Sequence, residues 1–268
     1  TTRIATTNGV IKMEQANIPK KPILVFRPAI ATNIIMINAV IFVFIYKCYF
    51  SIIRHIKKYP YQTPEYTVED GETLLETPDG AMPIEVFGKH NLNNLAGAKW
   101  ICQHMGVVEE DFYEAISTFT GASKRLELIA KSKDTVIYKD FAHSPSKVAA
   151  TTSAVKEQYG DRTVVACLEL HTYSSLNPEF LSEYQGALDA ADVAVVFYSP
   201  KAVEIKKLEP ITAQQIAAAF KRDDLTIFTD PADFKAFLFE QELKNKAILL
   251  MSSGNYGGLD FEEVKGLV

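Results

Sequence analysis

From about residue 58 the chain alternates short apolar runs with amphipathic stretches. Tyr66-Thr67-Val68 and Thr73-Leu74-Leu75 flank the polar turn Glu69-Asp70-Gly71. Pro78-Asp79-Gly80 is a second turn signal, and Pro83 to Phe87 resumes an extended pattern. Together these predict a short β-meander. Leu92, Leu95, Ala96 and Lys99 then recur at helical spacing, and a second helix is expected over Glu109 to Thr118. Beyond about 121 the rhythm changes. β-rich runs at 135–138, 163–168, 193–197, 225–228 and 247–251 alternate with helical stretches near 146–158, 177–189, 212–220 and 232–243, and a last helix begins near Asp260. This alternation predicts an α/β unit with a Rossmann-like, doubly wound, mainly parallel sheet. Its crossovers are expected to be right-handed, and its chemistry to gather outside the carboxyl ends of the strands.

Residues 1–57 show little periodicity. No charge falls between Pro28 and Tyr46, and Ile34 to Tyr46 is almost wholly apolar. That length approaches a membrane span. Asn33 and Asn38 interrupt it, its Ile, Val and Phe suit strands as well as lipid, and no small-residue cleavage pattern follows it. The expected division is 1–57 unassigned, 58–120 one unit and 121–268 the sheet domain. A length of 268 residues, 47% apolar and 23% charged, accommodates one large or two modest domains. Net charge is −5 with no basic cluster, which argues against a nucleic-acid surface. Cys48, Cys102 and Cys167 are isolated, so neither a disulfide framework nor a zinc site is expected. The pattern fits a reducing, cytoplasmic setting.

The loops after strands carry the polar chemistry. The first ends in Asp140-Phe141-Ala142-His143-Ser144-Pro145, with Pro145 suited to a first helical turn and Ser144 to its cap. Asp140 is placed to accept from a ribose or help hold a cation, and His143 to bond a phosphate, carboxylate or amine. The second ends in Glu169-Leu170-His171-Thr172-Tyr173, which puts another His at a strand end. No third ligand announces a metal site. The last ends in Met251-Ser252-Ser253-Gly254-Asn255-Tyr256-Gly257-Gly258, where glycines allow backbone amides to approach an anion. Upstream, Asn91 and Asn94 share a helix face, and paired carboxamides can read a purine edge. The connector Phe119 to Glu127 carries Gly121 and Arg125, a hinge with a guanidinium suited to a polyphosphate.

Together these pieces resemble the Mur ligase family over roughly the last four-fifths of the chain. The family's G-x-H-N-x-x-N pattern matches at Gly88, His90, Asn91 and Asn94. Its F-x-G-x-x-x-R-x-E connector matches at Phe119, Gly121, Arg125 and Glu127, and its D-[YF]-[AG]-H-x-P loop at Asp140 through Pro145. The resemblance implies that 58–120 is the end of a central, ATP-binding domain and 121–268 the C-terminal domain. It implies ATP and Mg²⁺ as cofactors, with UDP-N-acetylmuramate and a short cell-wall peptide as partners. The implied reaction is amide formation through an acyl phosphate, in peptidoglycan synthesis or recycling. By the same resemblance Asn91, Asn94, Arg125 and Asp140 meet the nucleotide, and Arg125 and His143 are the catalytic candidates. His143, His171, Tyr173, Ser253, Asn255 and Tyr256 line the side of the incoming amine. The alternatives are alanine rather than peptide addition, or a non-catalytic nucleotide- or peptide-binding module.

Several family features are missing. The phosphate-binding G-T-x-G-K-T loop is absent, as is any match to the UDP-sugar domain. The central-domain Glu and His that serve the metal and acyl phosphate have no counterpart in 1–57. We read 1–57 as foreign or out-of-frame sequence fused to a ligase remnant, and expect no independent catalysis from this chain.

Overall fold

The computed structural model describes residues 59–268 and two short strands ahead of them, β1 (Ala5–Thr7) and β2 (Val10–Lys12), paired antiparallel. The apolar stretch 28–46, Cys48, and the reading of 1–57 as foreign sequence otherwise lie outside the described residues.

A three-stranded antiparallel meander follows: β3 (Tyr66–Glu69), β4 (Glu72–Thr77) and β5 (Gly80–Ile84). The third strand starts and ends earlier than the 83–87 expected. Pro83 falls inside it opposite Leu74, which an edge strand tolerates because one side of its backbone needs no donor. Helices α1 (Lys89–His104) and α2 (Glu109–Ser117) pack on the meander. Leu75, Ile84, Leu92, Leu95, Ala98, Cys102, Phe112 and Ile116 form the core of this unit. Burying each large aliphatic or aromatic side chain contributes roughly 1.5–3 kcal/mol.

The second unit is a six-stranded sheet in the order β10-β9-β8-β11-β7-β6. Its strands are β6 (Glu127–Lys131), β7 (Thr135–Asp140), β8 (Thr163–Leu170), β9 (Val193–Tyr198), β10 (Thr226–Phe228) and β11 (Lys246–Met251). All neighbours run parallel except β6, which is antiparallel to β7. The mainly parallel sheet is as expected, with β6 an addition. Its half-exposed edge pattern gave no continuous apolar run to detect.

Parity divides the core. Val136, Tyr138, Ala166, Leu168, Val196 and Leu249 face one layer with helices α3 (Pro145–Gln158), α4 (Pro200–Ile205) and α5 (Ala213–Phe220). Ile137, Val165, Cys167, Val195, Phe197 and Leu250 face the other, under α6 (Pro231–Phe239) and α7 (Phe261–Lys265). Central strands covered on both faces read as continuous apolar runs, as β8, β9 and β11 do. The helix expected at 177–189 is instead a 3-10 turn at Leu181–Tyr184. Pro178 brings no N–H, Gly186 sits at φ 74°, and successive bonds such as Phe180 N–H to Asn177 O span three residues. Within α4, which the pattern did not reveal, Ser199 accepts from Ala202 N–H at 3.3 Å.

A polar seam joins the two units. Thr73 Oγ1 donates to Gln158 Oε1 and Gln158 Nε2 to the Gly71 carbonyl, both at 2.7 Å. Tyr66 donates to Glu157 at 2.7 Å, and Phe87 meets the rings of Tyr138 and Tyr159 edge-on. Gly88, just before α1, packs tightly against α3: at φ 85° it leaves no room for a Cβ, which would stand 2.4 Å from the Ala154 Cβ.

Candidate functional site

Where the start of α1, the connector and the end of β7 converge, a cleft of about 950 Å³ opens. That is the size of a small-molecule or cofactor site. His90, Asn91, Asn94, Arg125, Asp140 and Lys147 line it. The two Asn side chains therefore do share one surface. Asn91 Nδ2 donates to the Phe87 carbonyl at 3.0 Å, so part of its capacity orders its own helix start. Burial, then the Arg125 charge, lower the His90 imidazole to a pKa of about 4, so this ring is neutral near pH 7.

Asp140 is 4% exposed, and both its carboxylate oxygens are engaged. Oδ2 accepts from Leu126 N–H at 2.7 Å and Oδ1 from Ala142 N–H at 2.6 Å. Burial raises its pKa above the usual carboxylate range, and the two amides and the Arg125 charge oppose that. Each oxygen keeps a second lone pair for a ligand. The connector beside it is strained: Lys124 and Leu126 sit at φ 57° and 43°, conformations that cost of order 1–3 kcal/mol each outside glycine. Besides the Asp140 bond, Glu127 accepts from Lys124 N–H at 2.7 Å and Phe141 N–H donates to the Lys124 carbonyl at 2.9 Å. The expected hinge is thus a pinned turn that holds Arg125 at the cleft, its guanidinium 5.7 Å from the Phe141 ring.

His143 is not among the cleft-lining residues. Its Nδ1 donates to the Phe141 carbonyl at 2.8 Å, and its own carbonyl accepts from Tyr184. The remaining residues assigned from sequence lie near the ends of β8 and β11. Tyr173 is 65% exposed, with Lys206 over its ring at 5.1 Å. Ser253 Oγ is buried without a hydrogen-bond partner. Tyr256 is 1% exposed, stacks on Phe234 at 4.6 Å, and points its hydroxyl at the Cys167 and Met251 carbonyls. Its ring therefore anchors the loop from inside the core. Neighbouring Asn255 accepts from Gly258 and Leu259 N–H through its carbonyl.

Glu169, passed over in the sequence beside His171, is 3% exposed. It accepts from the Ser252 hydroxyl and from Tyr256 N–H at 2.8 Å, and lies 3.3 Å from His171 Nδ1. The signal available was a carboxylate on the last turn of an otherwise apolar strand. Among the described residues no group of three His, Cys, Asp or Glu side chains is placed to hold a metal ion, and no helix is long and apolar enough to cross a membrane.

Comparison with known proteins points one way. A UDP-N-acetylmuramate–L-alanine ligase of Gloeothece citriformis is 32% identical over 66% of this chain and 36% of its own length. One from Paenarthrobacter aurescens is 36% identical over 43% of this chain and 25% of its own. The chain thus spans about a third of the length of the curated relatives it matches. In fold it is similar to the UDP-N-acetylmuramate-alanine ligase of Thermotoga maritima, with a TM-score of 0.57 at 15% identity over 79% of this chain and 45% of that one. A Thermotoga maritima MurF ligase in complex with ADP gives 0.51 at 17% identity over 76% of this chain and 44% of that one. The Mur ligase, glutamate ligase domain family matches residues 124–254, and the sheet domain of this chain belongs to it.

Proposed function

We propose that this chain carries the nucleotide edge and the amine side of an ATP-dependent, amide-forming Mur-type ligase. The reaction joins a peptide to UDP-N-acetylmuramate through an acyl phosphate. One observation supports this most: α1, the pinned connector and the end of β7 bring His90, Asn91, Asn94, Arg125 and Asp140 to one cleft of about 950 Å³. Paired carboxamides suit an adenine edge and a guanidinium suits phosphate oxygens. Asp140, held by backbone amides, offers lone pairs to a ribose. Such a site works by positioning and charge neutralisation. Mg²⁺ enters this reading as the companion of the nucleotide phosphates, whose charge it shares when bound.

The peptide-adding branch, murein peptide ligase, is supported by Asp140-Phe141-Ala142-His143 and by Met251-Ser252-Ser253-Gly254. The relatives named as L-alanine ligases support alanine addition equally well. A non-catalytic nucleotide-binding module is the remaining alternative. The deciding experiment combines ADP binding by calorimetry with an ATP-turnover assay on UDP-N-acetylmuramate and L-alanyl-γ-D-glutamyl-meso-diaminopimelate. This chain alone is expected to bind ADP without turnover, and Arg125→Ala to weaken binding by about tenfold, ~1.4 kcal/mol. No ADP binding at millimolar concentration refutes the nucleotide site, and product formation refutes the reading of an incomplete machine.

A further inference from the structure

The loop after β11 reads in sequence as a cradle of amides for a ligand anion, but its anion is already in place. Tyr256 N–H donates to Glu169 Oε2 at 2.8 Å. Gly254 N–H donates to Ser252 Oγ at 2.6 Å, and that hydroxyl donates to the same Oε2. The other carboxylate oxygen stands 3.3 Å from His171 Nδ1. Gly254 closes the arrangement: a Cβ there would lie 2.8 Å from Glu169 Oε2 and 3.0 Å from His171 Cγ and Nδ1. The loop backbone therefore rests directly on both side chains, which only glycine allows. Glu169 is 3% exposed at its side chain and His171 40%, so the ring reaches from the buried carboxylate to open surface.

We propose that Glu169 is a positioning residue: its carboxylate fixes the loop Ser252 to Tyr256 and holds His171 with Nδ1–H turned inward, leaving Nε2 as the acceptor for a substrate amine. A neutral imidazole whose Nδ1–H faces an inner carboxylate presents a lone pair at the other nitrogen. The ligand class that fits is the amino group of an amino acid or peptide. This rests on the proposed function only in naming the amine; the tautomer and the loop stand without it.

The test uses the full chain and reads three things. Long-range proton–nitrogen correlation spectra at about pH 9, where ordinary imidazoles are neutral, report the His171 tautomer. Hydrogen exchange reports the amides of Gly254 and Tyr256. Titration with L-alanyl-γ-D-glutamyl-meso-diaminopimelate reports the amine side. The wild-type ring is expected mainly in the Nδ1–H form. Glu169→Met, which removes both acceptor oxygens at similar volume, shifts it towards Nε2–H and speeds exchange at Gly254 and Tyr256 by about tenfold or more, while Leu126 and Ala142 amides stay protected as the fold control. Ser252→Ala speeds Gly254 exchange and leaves the tautomer unchanged. A wild-type ring mainly in the Nε2–H form, or an Nδ1–H form that survives Glu169→Met, overturns the proposal. Peptide that fails to bind while tautomer and exchange behave as stated counts against the functional reading alone.

Discussion

Replacing Gly88 with alanine tests whether the cleft depends on the close approach of α1 to α3. The added Cβ would stand 2.4 Å from the Ala154 Cβ. Carbon atoms in contact rest at about 3.5–4.0 Å, so the helix start must move by roughly 1 Å or more. Overpacking of that kind costs about 1–3 kcal/mol. With φ 85° and ψ 136°, the backbone there adds strain of roughly 1–3 kcal/mol for a residue with a Cβ. Gly106, just past the other end of α1, separates these contributions: it has φ 93°, and a Cβ there would meet nothing within 4 Å. Gly106→Ala is therefore expected to cost about 1–3 kcal/mol from strain alone, and Gly88→Ala about 2–6 kcal/mol from both. Urea unfolding followed by fluorescence of Trp100, the single tryptophan and itself on α1, measures the difference. Ala154→Gly removes the opposing methyl at about 1 kcal/mol of helix propensity, and in the double variant the packing cost should vanish. The reasoning fails if Gly88→Ala costs no more than Gly106→Ala, or if Ala154→Gly gives no relief.

Two further outcomes follow from the same cleft. His90 is held at a pKa of about 4 rather than 6.5, so its contribution to stability is complete above about 6.5 and is lost as pH falls towards 4. At 1.36 kcal/mol per pH unit that is about 3 kcal/mol; unfolding midpoints at pH 7 and pH 4.5 should differ less in His90→Gln, and equal slopes would refute the burial of this ring. Asp140→Asn leaves one oxygen for two amides and sets an NH₂ against one of them. An unsatisfied buried group costs about 1–3 kcal/mol, so urea unfolding should show that loss together with faster hydrogen exchange at Leu126 or Ala142.

The central strands of the sheet were legible because both their faces are buried, which leaves uninterrupted apolar runs such as Val193 to Tyr198. β6 escaped because an edge strand half open to solvent has no such run. The stretch 177–189 misled because its apolar positions do pack: Leu181, Tyr184 and Leu188 are core. Pro178 and Gly186 prevent the regular helix that usually carries such spacing. For the site, the loops were found but their internal wiring was not. Asp140 and Glu169 are each a lone acid in sequence, and their partners, Leu126 and Tyr256, are 14 and 87 residues away. The resemblance put Tyr256 among the ligand contacts; its burial against Phe234 is a packing feature that the sequence did not reveal.

Register explains why these two acids belong to one device although they face opposite layers. Asp140 follows the parity of Tyr138, towards α3 and the cleft; Glu169 follows that of Cys167, towards α6. β11 lies between their strands, with Met251 opposite Asp140 on one side and Leu168 on the other. The residue after Met251 must therefore emerge between the two strand ends. That residue is Ser252, whose N–H donates to the Asp140 carbonyl at 3.0 Å and whose hydroxyl donates to Glu169. An alanine would keep the first bond and lose the second, whereas an alteration that shifts β11 along its neighbours would lose both. The last strand in the chain thus ties the loop after it to the strand end that pins Arg125, and does so with one small polar residue at a point that strand pairing alone determines.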